Sequence, residues 1–146
     1  MKDSSQYLRL RLGGAHYLLT SSASLTIEQR QNLTLNSGET GNVGAWHSQG
    51  EVRWPAYPLD QDLRVTRQCE WESAIFLDAR PQPVGLLVGN AQMLSEEEAE
   101  VTSFTPVGPA PTGAGHLFAG AWVRGSQVVL VLEPAALIAY LTSLGG

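Results

Sequence analysis

Few side chains able to do chemistry are present, and they are scattered. The three histidines, His16, His47 and His116, lie far apart in sequence and far from the single cysteine, Cys69. Zinc sites are built from closely spaced Cys and His pairs, so the spacing predicts no metal centre. Cys69 has Glu70 beside it and Asp62 upstream. Negative neighbours disfavour the thiolate that a nucleophile needs, and Cys69 reads as inert. The chain contains no Gly-x-Ser-x-Gly elbow, no phosphate-binding glycine loop ending in Lys-Ser or Lys-Thr, and no His-Glu-x-x-His string. Acyl transfer, nucleotide hydrolysis and metalloprotease chemistry therefore lack their local signatures. The expectation is a protein without enzymatic activity and without a cofactor.

The remaining polar and aromatic clusters read more simply as structure or as binding surface. Glu96, Glu97, Glu98 and Glu100 follow Ser95 in a capping-box pattern, which suits the first turn of a short helix and its dipole. Of the four tryptophans, Trp46 and Trp122 each follow a Gly-Ala pair, and equivalent core positions in two similar halves are expected for them. Trp54, next to Pro55, is expected to be exposed and to serve as a binding anchor.

The elements that must position these residues are mostly strands. Tyr7 to Leu12 alternates apolar and charged residues, placing Leu8, Leu10 and Leu12 on one face and Arg9 and Arg11 on the other. Gly13-Gly14 then suits a type I′ hairpin turn. Residues 25 to 35 predict a strand, a polar turn and a second short strand, followed by a glycine-rich loop at 36–42. Val43 to Trp54 reads as a hairpin with its turn at Gln49-Gly50, and Pro55 and Pro58 confine the next stretch to an edge or an irregular segment. Residues 60–70 connect the halves. Ala74 to Leu77 and Val84 to Val88 are apolar runs of β type, and residues 106–115 are a Pro/Gly connection. Leu117 to Leu132 folds back at Gly125-Ser126, and Glu133 to Leu141 predicts a helix with proline near N1 and Leu137, Ile138 and Leu141 on one face. The repeated order of hairpin, loop and Gly-Ala-Trp hairpin points to an internally duplicated all-β fold.

Bulk properties limit the partners. A chain of 146 residues holds one ordinary core, and a net charge of −5 with 9 basic residues offers no surface for neutralising phosphates, which excludes nucleic acid. The start runs directly into strand-like alternation, without a signal-peptide core or a run able to span a bilayer. No direct membrane insertion is expected, and the single cysteine fits a cytoplasmic location. The sequon Asn32-Leu33-Thr34 reads as chance in that compartment.

Taken in order, several strings resemble the CheW-like family of bacterial chemotaxis adaptors. They are Leu12-Gly13-Gly14-Ala15-His16-Tyr17, the glycines Gly44 and Gly50, Pro55-Ala56-Tyr57-Pro58-Leu59, Val84-Gly85-Leu86-Leu87-Val88, and the stretch from Gly120 through Leu132 into Glu133-Pro134-Ala135-Ala136-Leu137. The resemblance runs from Tyr7 to Leu141. It implies a single domain over residues 1–146, made of two small five-stranded barrels packed together with short helices, one of them C-terminal. It also implies a non-enzymatic scaffold coupling chemoreceptor cytoplasmic helices to a CheA-type histidine kinase. Leu25, Ile27, Leu33, Val43 and Ala45 fall where the resemblance places the receptor-facing groove, with Gln49 near it and Trp54 as an anchor. The chain departs from the family at His47-Ser48-Gln49, where the family has Asn-Leu-Arg. That change opens two alternatives: a divergent adaptor for another partner, such as a component of type IV pilus twitching motility, and a small-molecule-binding β-barrel using His47.

Overall fold

The computed structural model describes residues 6–38, 41–66, 70–94, 101–103 and 117–145. The acidic helix start at Ser95, the Pro/Gly connection at 106–115, Cys69 and His116 lie outside these described residues.

The strands are β1 (Tyr7–Leu12), β2 (Ala15–Thr20), β3 (Ser24–Gln29), β4 (Thr34–Leu35), β5 (Ala45–Gln49) and β6 (Val52–Pro58), then β7 (Ser73–Leu77), β8 (Val84–Val88), β9 (Asn90–Leu94), β10 (Val101–Ser103), β11 (Phe118–Arg124) and β12 (Gln127–Leu132). Helix α1 (Pro134–Leu144) comes last, and short 3-10 turns occupy Ser21–Ala23 and Arg30–Asn32. The strands form two six-stranded sheets, β10-β11-β12-β2-β1-β9 (sheet A) and β3-β7-β8-β6-β5-β4 (sheet B). Each sheet has one strand more than the five expected. β4 is the second short strand expected within residues 25 to 35, whereas β10, of three residues, is too short to leave a periodic trace in the sequence.

The duplication is visible in the pairing itself. Adding six to each strand number, cyclically, turns every pairing of sheet B into one of sheet A: β5-β6 becomes β11-β12, β3-β7 becomes β9-β1, and the parallel pair β6-β8 becomes β12-β2. Each sheet thus takes an inner hairpin, beside one edge strand, from one half of the sequence and four strands from the other.

Three apolar clusters arise from the two faces of these sheets. The central one joins Leu8, Leu10 and Leu12 of β1 to Ile75 and Leu77 of β7 and Leu86 and Val88 of β8, with Leu137 and Leu141 of α1. Smaller clusters lie on the opposite face of each sheet: Leu18, Leu94, Trp122, Val129 and Val131 in sheet A, and Ala45, Ala56, Trp71, Ala74, Phe76 and Leu87 in sheet B. β7 and β8 are buried on both faces, which is why they read as unbroken apolar runs. Burying Leu137 and Leu141 contributes about 1.5–3 kcal/mol each and holds α1 on the core. The Glu133 carboxylate caps that helix by accepting from the Ala136 amide at 2.6 Å. Tyrosine hydroxyls tie the parts together: Tyr17 donates to the Gln61 carbonyl at 2.6 Å, Tyr57 to Gly145 at 2.9 Å, and Tyr140 to Leu63.

Several expectations are corrected in detail. Trp46 and Trp122 are not equivalent, because Trp46 packs toward the central cluster while Trp122 belongs to the sheet A cluster. When the sheets are matched by pairing, the partner of Trp122 is Ala45, and a one-residue offset in a strand reverses the face. The turn of the β5-β6 hairpin is Gly50-Glu51, since Gln49 pairs with Val52. Gly13, Gly50 and Gly125 have positive φ at the first turn position and their followers do not, the pattern of type II′ and not I′. Pro55 and Pro58 sit in an inner strand. Pro55 precedes the parallel ladder, which begins at Ala56, and Pro58 ends it, so neither interrupts it.

Candidate partner-docking site

β3 forms an edge of sheet B, and its pattern runs against the usual rule. Thr26 and Glu28 are half-buried, whereas Leu25 and Ile27 are 49 % and 37 % exposed. The register explains it. Thr26 lies opposite Phe76 and Glu28 opposite Ala74, on the inner face, while Ile27 lies opposite Ile75 at the rim of the central cluster. A bulge between Ser24 and Thr26 adjusts the strand at Leu25.

The inner face holds a polar relay among aromatic rings. Thr26 Oγ1 donates to Glu28 Oε1 at 3.2 Å, and that carboxylate lies 3.6 Å from His47 Nε2. The His47 ring meets Trp54 edge-on at 5.4 Å and Phe76 at 5.5 Å, and Trp54 is 5.7 Å from Phe76. β3 and β5 are thus joined across the inside of sheet B although several strands separate them in the pairing order. This arrangement orients and fills. It offers no nucleophile beside a base, and among the described residues no group of three or more Cys, His, Asp or Glu is placed to hold a metal.

The structure divides the residues expected at the docking surface into three groups. Leu25 and Ile27 are exposed on the outward side of β3. Leu33 and Trp54 are half-buried and pack on the inner cluster of sheet B, so Trp54 is not the exposed anchor expected. Val43 and Ala45 are corrected outright: at 2 % and 0 % exposure they belong to the central and inner clusters and present no surface to a partner. Their small apolar side chains fit between sheet layers, a placement that a sequence resemblance does not distinguish from a groove wall. The Gln49 backbone ends β5, opposite Val52. Sequence reasoning missed Leu35 and Val52, which expose apolar surface on the same sheet, and Met93, Val123 and Val128 on the other. The single apolar residues at strand ends gave no periodic signal. The Glu28–His47 contact was also missed, since the two residues are on separate strands.

No described helix is long and apolar enough to cross a membrane. No family model and no curated protein matches the sequence. Among solved structures, the chain is similar to the crystal structure of the scaffolding protein TtCheW from Thermoanaerobacter tengcongensis, with a TM-score of 0.61 and 12 % identity over 91 % of this chain and 86 % of that one. At so low an identity, the likeness lies in strand order and packing and not in side chains. The chain, two packed sheets with one C-terminal helix, has the CheW fold.

Proposed function

We infer that this protein is a non-enzymatic cytoplasmic scaffold, a single domain that couples the cytoplasmic helices of a chemoreceptor to a CheA-type histidine kinase. The fold shared with a scaffolding protein supports the adaptor class. The observation that carries the docking surface is the inverted pattern of β3: an edge strand directs Leu25 and Ile27 outward while Thr26 and Glu28 face in. Exposed apolar residues beside the rim of the central cluster suit the apolar face of an amphipathic helix. The polar relay behind them holds β3 in place through His47.

The test is co-sedimentation of the purified chain with a receptor cytoplasmic fragment and the CheA-type kinase of its own cell. Wild type is expected to enter a ternary complex, and Leu25→Glu with Ile27→Glu to lose the receptor while keeping native circular dichroism. Recovery of neither partner by wild type sinks the reading. The departure at His47-Ser48-Gln49 favours one second reading, an adaptor serving another partner such as a twitching-motility component. Gln49→Arg distinguishes the two: a gain in receptor binding supports the first, and no gain alongside weak wild-type binding supports the second.

A further inference from the structure

The shift of six in strand number permits a position-by-position comparison of the two sheets on the faces turned away from the central core. The hairpins β7-β8 and β1-β2 align at their last pairs before the turn, Leu77 with Val84 and Leu12 with Ala15. Phe76 paired with Gly85 in sheet B then corresponds to Arg11 paired with His16 in sheet A. Ala74 corresponds to Arg9, and the edge residues Thr26 and Glu28 to Asn90 and Gln92.

Sheet B closes this place with an aromatic plug. The Phe76 ring lies over Gly85, where an added Cβ would stand 2.7 Å from the ring, and Trp54 and His47 pack against it. Sheet A leaves the same place open and makes it cationic. A cavity of about 330 Å³ there is lined by Arg9, His16, Tyr17, Gln127, Val128 and Leu130 among others. A second, of about 120 Å³, is lined by Arg9, Arg11, His16, Asn90 and Gln92. The two share Arg9 and His16.

Among the described residues, nothing compensates the charge in this recess. No carboxylate among them lines either cavity, and within the same set neither arginine is in an ion pair. Arg9 Nε is buried without a hydrogen-bond partner. Arg11 is steered by the Gly89 carbonyl, 3.4 Å from Nη2, in space that a side chain at Gly89 would invade, since a Cβ there would lie 2.9 Å from the same nitrogen. In a chain of net charge −5, two guanidiniums turned into one recess form a local reversal of sign that focuses anions. Burial, and then Arg9 and Arg11, hold the His16 imidazole below its ordinary value of 6.5, as expected where a third positive charge is unwelcome until an anion arrives.

We propose that the open end of sheet A binds a small organic oxyanion, a carboxylate or a phosphate monoester. Arg9 and Arg11 are its charge partners, His16, Asn90 and Gln92 its hydrogen-bond partners, and Val129, which also lines the larger cavity and lies on the same face as Arg9, a wall for its carbon skeleton. The volume lies at the lower end of small-ligand pockets, and arginine is the side chain suited to forked contact with either anion. The site does not depend on the scaffold reading, and its test involves neither receptor nor kinase.

The experiment tracks the ring signals of His16 and His47 by NMR in the full chain while inorganic phosphate, or succinate, is added at constant ionic strength. A saturable shift at His16, a rise in its pKa with probe bound, and silence at His47 are expected. Affinity should fall at least tenfold in Arg9→Gln and in Arg11→Gln. Arg11→Lys, which keeps the charge and loses the fork, should give an intermediate loss and covers the case in which a neutral variant fails to fold. The tighter of the two probes identifies phosphate or carboxylate as the natural head group. Shifts that do not saturate, that appear equally at His47, or that survive both Gln substitutions overturn the proposal. So does saturable binding of an Asp-rich peptide where both small probes fail.

Discussion

Gly85 shows how closely a single residue is specified, because the methyl group of alanine would stand 2.7 and 2.8 Å from two Phe76 ring carbons and 3.0 Å from Ala56 Cβ. Neither β7 nor β6 can retreat from between two clusters, so Gly85→Ala should cost about 1–3 kcal/mol by overpacking. The check is a urea titration in which the midpoint falls while the slope is unchanged. His16 gives a second prediction at this scale. Its folded-state pKa lies below 6.5 through burial and the two arginines, so the unfolded chain binds the proton more readily. The resulting stability is complete above about pH 6.5 and is lost as pH falls through the folded value. Between pH 7 and 5 the wild type should lose more thermal stability than His16→Gln, and parallel curves for the two proteins would contradict the linkage. Both sites were half legible in the sequence. Alternation put Arg9 and Arg11 together on the face opposite the leucines, but not the fact that this face turns into a recess, since curvature and the partner strand β9 are set by pairings distant in sequence.

Strands are where exposure and function separate. Leu25 and Ile27 are exposed and belong to none of the three apolar clusters, so Leu25→Glu and Ile27→Glu should each change stability by no more than about 0.5 kcal/mol. The same pair of substitutions removes the apolar surface proposed to meet a partner helix. A loss of binding at unchanged unfolding midpoint is the expected result, and parallel losses of both would make β3 a structural strand. At α1, Glu133 accepts from the Ala136 amide and Pro134 opens the first turn. Glu133→Ala should therefore cost about 1 kcal/mol, measured by thermal unfolding monitored at 222 nm. The helix and its cap position were readable because proline, an acidic cap and apolar spacing are local signals. The β1-β2 and β11-β12 hairpins were readable for the same reason, their turns being short and glycine-led. Val43, Ala45 and Trp54 were misplaced because the choice between core and surface depends on what the opposite strand brings. For Ala45 that information belongs to Ala56, Ala74 and Phe76, for Trp54 to Ala74 and Phe76, and for Val43 to the central cluster, all in other elements.

The interleaving of halves governs the behaviour of the whole molecule. Residues up to β6 supply the β1-β2 hairpin to sheet A and four strands to sheet B, while residues from β7 onward supply the β7-β8 hairpin to sheet B and four strands to sheet A. A chain cut between β6 and β7 leaves each fragment with a sheet lacking two inner strands, and with only part of the central cluster that β1, β7, β8 and α1 build together. The repeated order of elements was legible, because each half repeats its own local hairpins. The exchange of hairpins between sheets was not, since it rests on the pairings β2 with β12 and β6 with β8, whose partners lie far apart in sequence. The consequence is testable. Fragments 1–69 and 70–146 should each be unfolded alone by circular dichroism and should recover native strand content when mixed, and the intact chain should unfold in one transition with coincident tryptophan-fluorescence and far-ultraviolet signals. Trp54 and Trp71 report on sheet B and Trp122 on sheet A, so single-tryptophan variants give each sheet its own probe. Two separated transitions, or one fragment folding alone, would mean that the sheets are independent units in spite of their shared strands.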